Sequence, residues 1–175
     1  MDPDHERFRA LYDECFGAIA AYARRRCDAE DAADAIAETF AIVWRRLGDV
    51  PRGRELPWCY GVARRVIANQ RRARGRRERL GARLGAEWRS GSFVETMSDW
   101  DVRGALARLR ESDREILRLA AWECLGASDI AVVLGCSPNA ASIRLHKARR
   151  RLRAALTTSE RPAPYRTPTS TEEPT

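Results

Sequence analysis

Apolar residues recur at three- and four-residue steps through most of this sequence, and such a period can be buried only along one face of an α-helix. Phe8, Leu11, Tyr12, Cys15, Phe16, Ile19 and Ala23 form one stripe, which predicts a helix over about 5–26. After a break at Cys27, Asp28 is placed to cap a second helix whose early acids face the positive end of its dipole. Its stripe is Ala33, Ile36, Phe40, Val43, Trp44 and Leu47. Gly48, Pro51 and Gly53 end the period in a loop, and Pro57 opens a third helix that buries Trp58 or Cys59, Val62, Val66 and Ile67. The predicted fold class is all-α.

Four glycines (Gly75, Gly81, Gly85 and Gly91) with Ser90, Ser92 and Ser98 then weaken the pattern and predict a flexible linker over 76–100, too short for a further domain. Val102, Ala105, Leu106 and Leu109 resume the period, and Ser112 with Glu115 has the spacing of a capping box ahead of Ile116 and Leu119. Two small helical domains follow, over 1–75 and 101–156. The Pro- and Thr-rich stretch 157–175 has no apolar period and is expected to be a disordered tail.

The densest local signal lies at 128–153. Asp129, Ile130, Ala131 and Leu134 form a short helix that stops at Gly135, a residue suited to the left-handed C-terminal position, and Ser137 and Pro138 begin another. That second helix buries Ala141, Leu145, Ala148 and Leu152, and it turns Asn139, Ser142, Ile143, Arg144, His146, Lys147 and Arg150 outward. A short helix, a glycine turn and a basic helix make the layout of a DNA-reading helix-turn-helix. Asn139 and His146 can read base edges, while Arg144, Lys147 and Arg150 reach phosphates or guanine. The plainer alternative is a solvated basic face.

Charge is distributed in blocks. The 32 Lys and Arg exceed the 25 Asp and Glu by 7, but nine Arg against one acid fall within 64–83, and six basic residues with no acid within 144–153. Two basic blocks suggest two contacts with a polyanion. The first follows Trp58 and Tyr60, which suit stacking of unpaired bases, although burial is the alternative for Trp58. Asp28, Glu30, Asp31, Asp34 and Glu38 form an opposite, acidic block that fits a basic protein surface.

Other classes are excluded on residue grounds. The five Cys include no CxxC pair, which argues against zinc and a disulfide framework, so no metal or cofactor is expected. Two His, with no Ser-His-Asp set and no Gly-rich phosphate motif, argue against an enzyme. No run approaches the ~20 apolar residues of a membrane span, and the acidic, mixed start lacks a secretory layout. No membrane insertion is expected, and the cytoplasm is the expected compartment.

DAEDAADAIAETFAIVWRRL, then PWCYGVARRVIANQRR, then LARLRESDREILRLAAWECLGASDIAVVLGCSPNAASIRLHKARRRL together resemble the bacterial RNA polymerase sigma factors of the extracytoplasmic-function group, in the sigma-70 family. The resemblance covers roughly 5–75 and 101–156. It implies that the first domain, region 2, binds the largest-subunit clamp of core RNA polymerase through Asp28, Glu30, Asp31, Glu38, Thr39, Phe40 and Trp44. It also implies that this domain opens the −10 promoter element with Arg54, Trp58, Arg64, Arg65, Asn69 and Arg72. The second domain, region 4, would bind the polymerase flap and read the −35 element with Ser142, Ile143, His146 and Lys147, Arg144 matching the family's usual Arg. Ser142, Ile143, the Asn139–Ala140 pair and Arg65 depart from residues common in the family, which leaves the bases read open. The resemblance leaves room for an anti-sigma factor as a further partner. The competing reading from a different class is a free-standing, dimeric helix-turn-helix regulator of duplex DNA.

Overall fold

The computed structural model describes residues 2–82 and 99–159. Seven α-helices account for almost all of them: α1 (Pro3–Arg24), α2 (Ala29–Arg45), α3 (Glu55–Ala82), α4 (Asp99–Arg108), α5 (Glu111–Ala121), α6 (Ala127–Leu134) and α7 (Pro138–Ser159). No strand occurs among the described residues. One 3₁₀ turn, Leu47–Asp49, follows α2. The inner part of the expected linker, 83–98, and the tail from 160 on lie outside the described residues.

Local chemistry sets the helix ends. Asp2 caps α1 by accepting from the Asp4 amide at 3.1 Å, with Pro3 in the first turn, and Asp28 caps α2 by accepting from the Asp31 amide at 2.9 Å. Helix α3 begins at Glu55, ahead of the start expected at Pro57; a proline inside the first turn removes an N–H that has no helical partner anyway. It also runs on to Ala82, past residue 75 where a linker is expected. Arginines are good helix formers, a lone helical glycine costs only about 1 kcal/mol, and Arg74 ties this stretch to Asp28 and Asp31.

Helices α1, α2 and α3 pack together, and α4, α5 and α6 gather around α7. The α2 stripe is rotated from its expected register: Ala32, Ala35, Thr39, Phe40 and Val43 are buried, Ala33 is exposed and Trp44 is 39% exposed. Packed by α1 and α3 from two sides, α2 presents its small residues where backbones approach, and hydrophobicity alone does not distinguish Ala32 from Ala33. The Ser112–Glu115 capping box does not form. Arg110 occupies the cap position without a side-chain bond, and Glu115 is turned into the interior.

The two halves dock. Helix α6 lies against α3, and a single apolar cluster runs from Leu11, Ile19, Val43 and Val66 through to Ile116, Leu119, Ile130 and Val133. Tyr22, fully buried, and Tyr60 (3% exposed) meet at a ring distance of 5.2 Å within it. A linker between separate domains predicts no such continuity.

Candidate nucleic-acid interface

Helix α6 ends at Gly135, whose φ of 64° is left-handed, and the Cys136 amide donates back to the Ala131 carbonyl at 3.0 Å. The chain then reverses, Ser137 Oγ accepts from the Ala140 amide at 3.2 Å, and Pro138 begins α7. Ala141, Leu145 and Ala148 face inward. Asn139, Ser142, Ile143, Arg144, His146, Lys147 and Arg150 are all exposed, Ile143 by 47%. All seven candidates are therefore exposed, with no acid on the helix itself.

Not every base of that block faces solution freely. Arg151 Nη1 donates to both carboxylate oxygens of buried Asp113, at 3.0 and 2.7 Å, which fixes the orientation of α7 on α5. Sequence spacing carries no signal for this pair, whose members lie 38 residues apart.

The α3 candidates divide. Arg65, Asn69 and Arg72 are exposed; Arg65 donates to the Gly61 carbonyl, and Arg72 to Asn69 Oδ1. Arg54 instead donates to Asp129 of α6 at 3.0 Å. Arg64 lines a cleft of about 310 Å³ between the halves, together with Arg144, Ser112, Asp113, Glu115, Ile116 and Leu134. Trp58 is half-buried against the core, with the Arg46 guanidinium 5.8 Å from its ring. Tyr60 is buried, so it provides no stacking platform. Burial, helped by the nearby Glu123 charge, pushes its phenol up to about 12.

The acidic face of α2 also resolves into parts. Asp28 and Asp31 accept from Arg74 at 3.2 and 2.6 Å, and the Asp31 amide followed by Arg74 holds the Asp28 carboxyl below its ordinary pKa. Glu30 and Glu38 are exposed with no partner among the described residues. Thr39, a candidate polymerase contact, is fully buried, its hydroxyl donating to the Ala35 carbonyl at 2.6 Å, and Phe40 is only 5% exposed. Both belong to the helix packing and not to its surface. Trp44 stays exposed, with His5 and Phe8 rings at 4.8 and 5.1 Å. Thus Trp44 and the two glutamates, with Asp28 and Asp31 paired to Arg74 beside them, are the surface part of this candidate set.

Across the junction lies a cluster that sequence reasoning misses. Arg26 has a side chain only 3% exposed; it donates from Nε to Glu115 Oε2 at 3.2 Å and from Nη1 to Glu123 Oε1 at 3.0 Å. Tyr22 Oη donates to Glu115 Oε1 at 2.8 Å, Arg26 stacks 3.6 Å over the Tyr22 ring, and Arg25 pairs with Glu123. Burial opposes the Arg26 charge, yet Tyr22, Glu115 and Glu123 outweigh it and hold its pKa above the ordinary value. Burial, then the Glu115 charge, pushes the Tyr22 phenol up strongly.

Among the described residues, no helix is long and apolar enough to cross a membrane, and no group of three or more His, Cys, Asp or Glu is placed to hold a metal ion. All five cysteines are free thiols: Cys15 and Cys59 buried, Cys27 and Cys136 half-buried, Cys124 exposed.

A helical half with a basic α3 face is thus joined to a half that ends in an open helix-turn-helix. The family models agree: sigma-70 region 2 matches residues 11–77 and sigma-70 region 4 matches residues 100–152. The chain belongs to the sigma-70 family and has the role of a sigma factor. Solved structures share the fold. The sigma factor RpoE in complex with the anti-sigma factor NepR from Bartonella quintana is 22% identical, with a TM-score of 0.63 over 88% of this chain and 98% of that one. CnrH in complex with the cytosolic domain of CnrY is 23% identical, with a TM-score of 0.58 over 87% and 89%. The PhyRSL–NepR complex from Sphingomonas sp. Fr1 is 15% identical, with a TM-score of 0.62 over 95% and 96%. No curated protein matches the chain.

Proposed function

We propose that this chain binds core RNA polymerase in the cytoplasm and directs promoter-specific initiation, with no catalysis of its own. Helix α7 enters the major groove of a −35 element, with Asn139, Ser142, Ile143, His146 and Lys147 toward base edges and Arg144 and Arg150 toward phosphates. The outer face of α3 holds the unpaired −10 strand through Arg65, Asn69 and Arg72, joined by Arg54, Trp58 and Arg64. Those contacts offset an unpairing cost of a few kcal/mol per base. Glu30, Glu38 and Trp44 meet the largest-subunit clamp, with Asp28 and Asp31 beside them, and the second half meets the flap. An anti-sigma factor is a further partner, a reading supported by similar folds solved as sigma–anti-sigma complexes.

The observation that carries this reading is the pairing of sigma-70 regions 2 and 4, in that order, with all seven α7 candidates exposed. The test is run-off transcription from a library of promoter fragments, with core polymerase alone as the control. Specific starts that need both proteins are expected, and their alignment yields both elements. A chain that starts no transcription but shifts a palindromic duplex without polymerase would replace this reading with that of a free-standing regulator.

A further inference from the structure

One apolar side chain of α7 has no place in the fold. Ile143 is 47% exposed and takes no part in the apolar cluster of the chain. Other large apolar side chains at the surface have partners: Phe16 and Trp44 lie against neighbouring rings, and Trp122 has the Arg118 guanidinium 5.5 Å from its ring. Among the described residues of α7, Ile143 is the one large apolar side chain left to solvent.

Lone apolar side chains are common on protein surfaces; what singles this one out is its position. Asn139 precedes it by four residues, His146 follows by three and Lys147 by four, and all three are exposed. Such spacings set side chains next to one another on a helix. Ile143 also sits in the second turn of a helix that begins at Pro138, in the part of a reading helix that meets base edges. Asn139 and Lys147 lie about 12 Å apart along the axis, a span of roughly three to four base-pair steps. Ile143 falls in the middle of that span.

Isoleucine neither donates nor accepts a hydrogen bond, so it cannot read the donor and acceptor pattern of the groove. The apolar group that the major groove presents is the C5-methyl of thymine. Cytosine in its place offers only a hydrogen at C5, together with an N4 amino donor that an aliphatic side chain would strip of water without replacing the bond. Branching at Cβ restricts χ1 of isoleucine, so little rotamer freedom is lost on docking.

We infer that Ile143 selects thymine at an inner position of the duplex that α7 reads, by packing its side chain against the C5-methyl group. This selection rests on the entry of α7 into the major groove of a −35 element, as proposed above; the base and the group read are what it adds.

Uracil provides the test, because it pairs as thymine does and lacks only the methyl. In promoters identified by run-off transcription, each thymine of the −35 element, on either strand, is replaced singly by uracil. Competition binding then compares holoenzymes carrying the wild-type chain, Ile143→Ala and Ile143→Val. Alanine is the better helix former at this exposed position, and far-ultraviolet circular dichroism checks that helix content is unchanged. Expected is one position at which uracil weakens the wild-type holoenzyme about three- to fivefold, the effect of one buried methyl. There Ile143→Ala should bind thymine and uracil promoters alike, and Ile143→Val should keep most of the discrimination. A −35 element without thymine, uracil replacements that all leave wild-type binding unchanged, or a uracil effect that survives in Ile143→Ala would overturn the assignment. In those cases a loss of binding in Lys147→Ala leaves groove entry standing. If neither Lys147→Ala nor a scrambled −35 sequence alters binding, groove entry falls and the thymine assignment with it. The expected uracil pattern on a duplex bound without polymerase, by a chain that binds core in no form, would instead support the methyl contact and overturn the sigma reading.

Discussion

Gly135, at the turn of the helix-turn-helix, isolates a single physical term. Its φ of 64° and ψ of 45° are left-handed, and a Cβ built there meets nothing within 4 Å. Gly135→Ala therefore adds no clash, and only the backbone conformation is penalised. Holding an L-residue in that region costs roughly 1–2 kcal/mol, while the lower entropy of alanine in the unfolded chain returns roughly 0.4–1 kcal/mol. The net loss is about 1 kcal/mol, which for a chain of this size lowers Tm by about 2–4 °C. Asparagine tolerates the conformation better, so Gly135→Asn should fall between Gly and Ala, and Gly135→Val below both. Thermal unfolding of the four proteins, followed by far-ultraviolet circular dichroism, gives the order directly. An alanine variant as stable as wild type, or an asparagine variant less stable than alanine, would refute the conformational account and point to contacts at the turn.

Replacing the unpaired acids Glu30 and Glu38 of α2 with Lys should weaken core-polymerase binding about tenfold or more, by placing like charges against a basic surface; pull-down titrations with unchanged helix content check this. Arg150→Ala should weaken all duplexes alike and flatten the slope of log affinity against log salt by about 0.9. By contrast, His146→Ala should cost about 1–3 kcal/mol at one base-pair position only, and anisotropy titrations over single-base variants separate the two. The buried Tyr22 and Tyr60 are favoured neutral in the folded chain, so their contribution is intact below the ordinary value of 10.0 and is lost as pH rises above it, through about 12 for Tyr60 and higher still for Tyr22. Near-ultraviolet titration should show two of the four tyrosines ionising only as the halves come apart.

The elements were legible because their signals are local. Asp28 as a cap, Gly135 as a stop, and Ala141, Leu145 and Ala148 as an inward stripe depend on residues within a turn or two, and the structure places each as the spacing predicts. The exposed face of α7 follows from the same period. Which way Glu115 turns does not, because a capping box is a local option worth little beside a buried cation arriving from 89 residues away. Thr39 shows the same limit: one helix alone cannot tell that two neighbours will enclose its hydroxyl.

The sequence by itself determined the amphipathic helices among the described residues, the glycine stop between α6 and α7 and a charge pattern of two basic blocks and one acidic block, since period, caps and composition act within single helices. Only the tertiary structure decided that the two halves share one core. That outcome depends on a glycine facing a distant carbonyl and on Arg26 meeting Glu115 and Glu123, contacts between residues far apart in the chain whose energies exist only once both helices are in place.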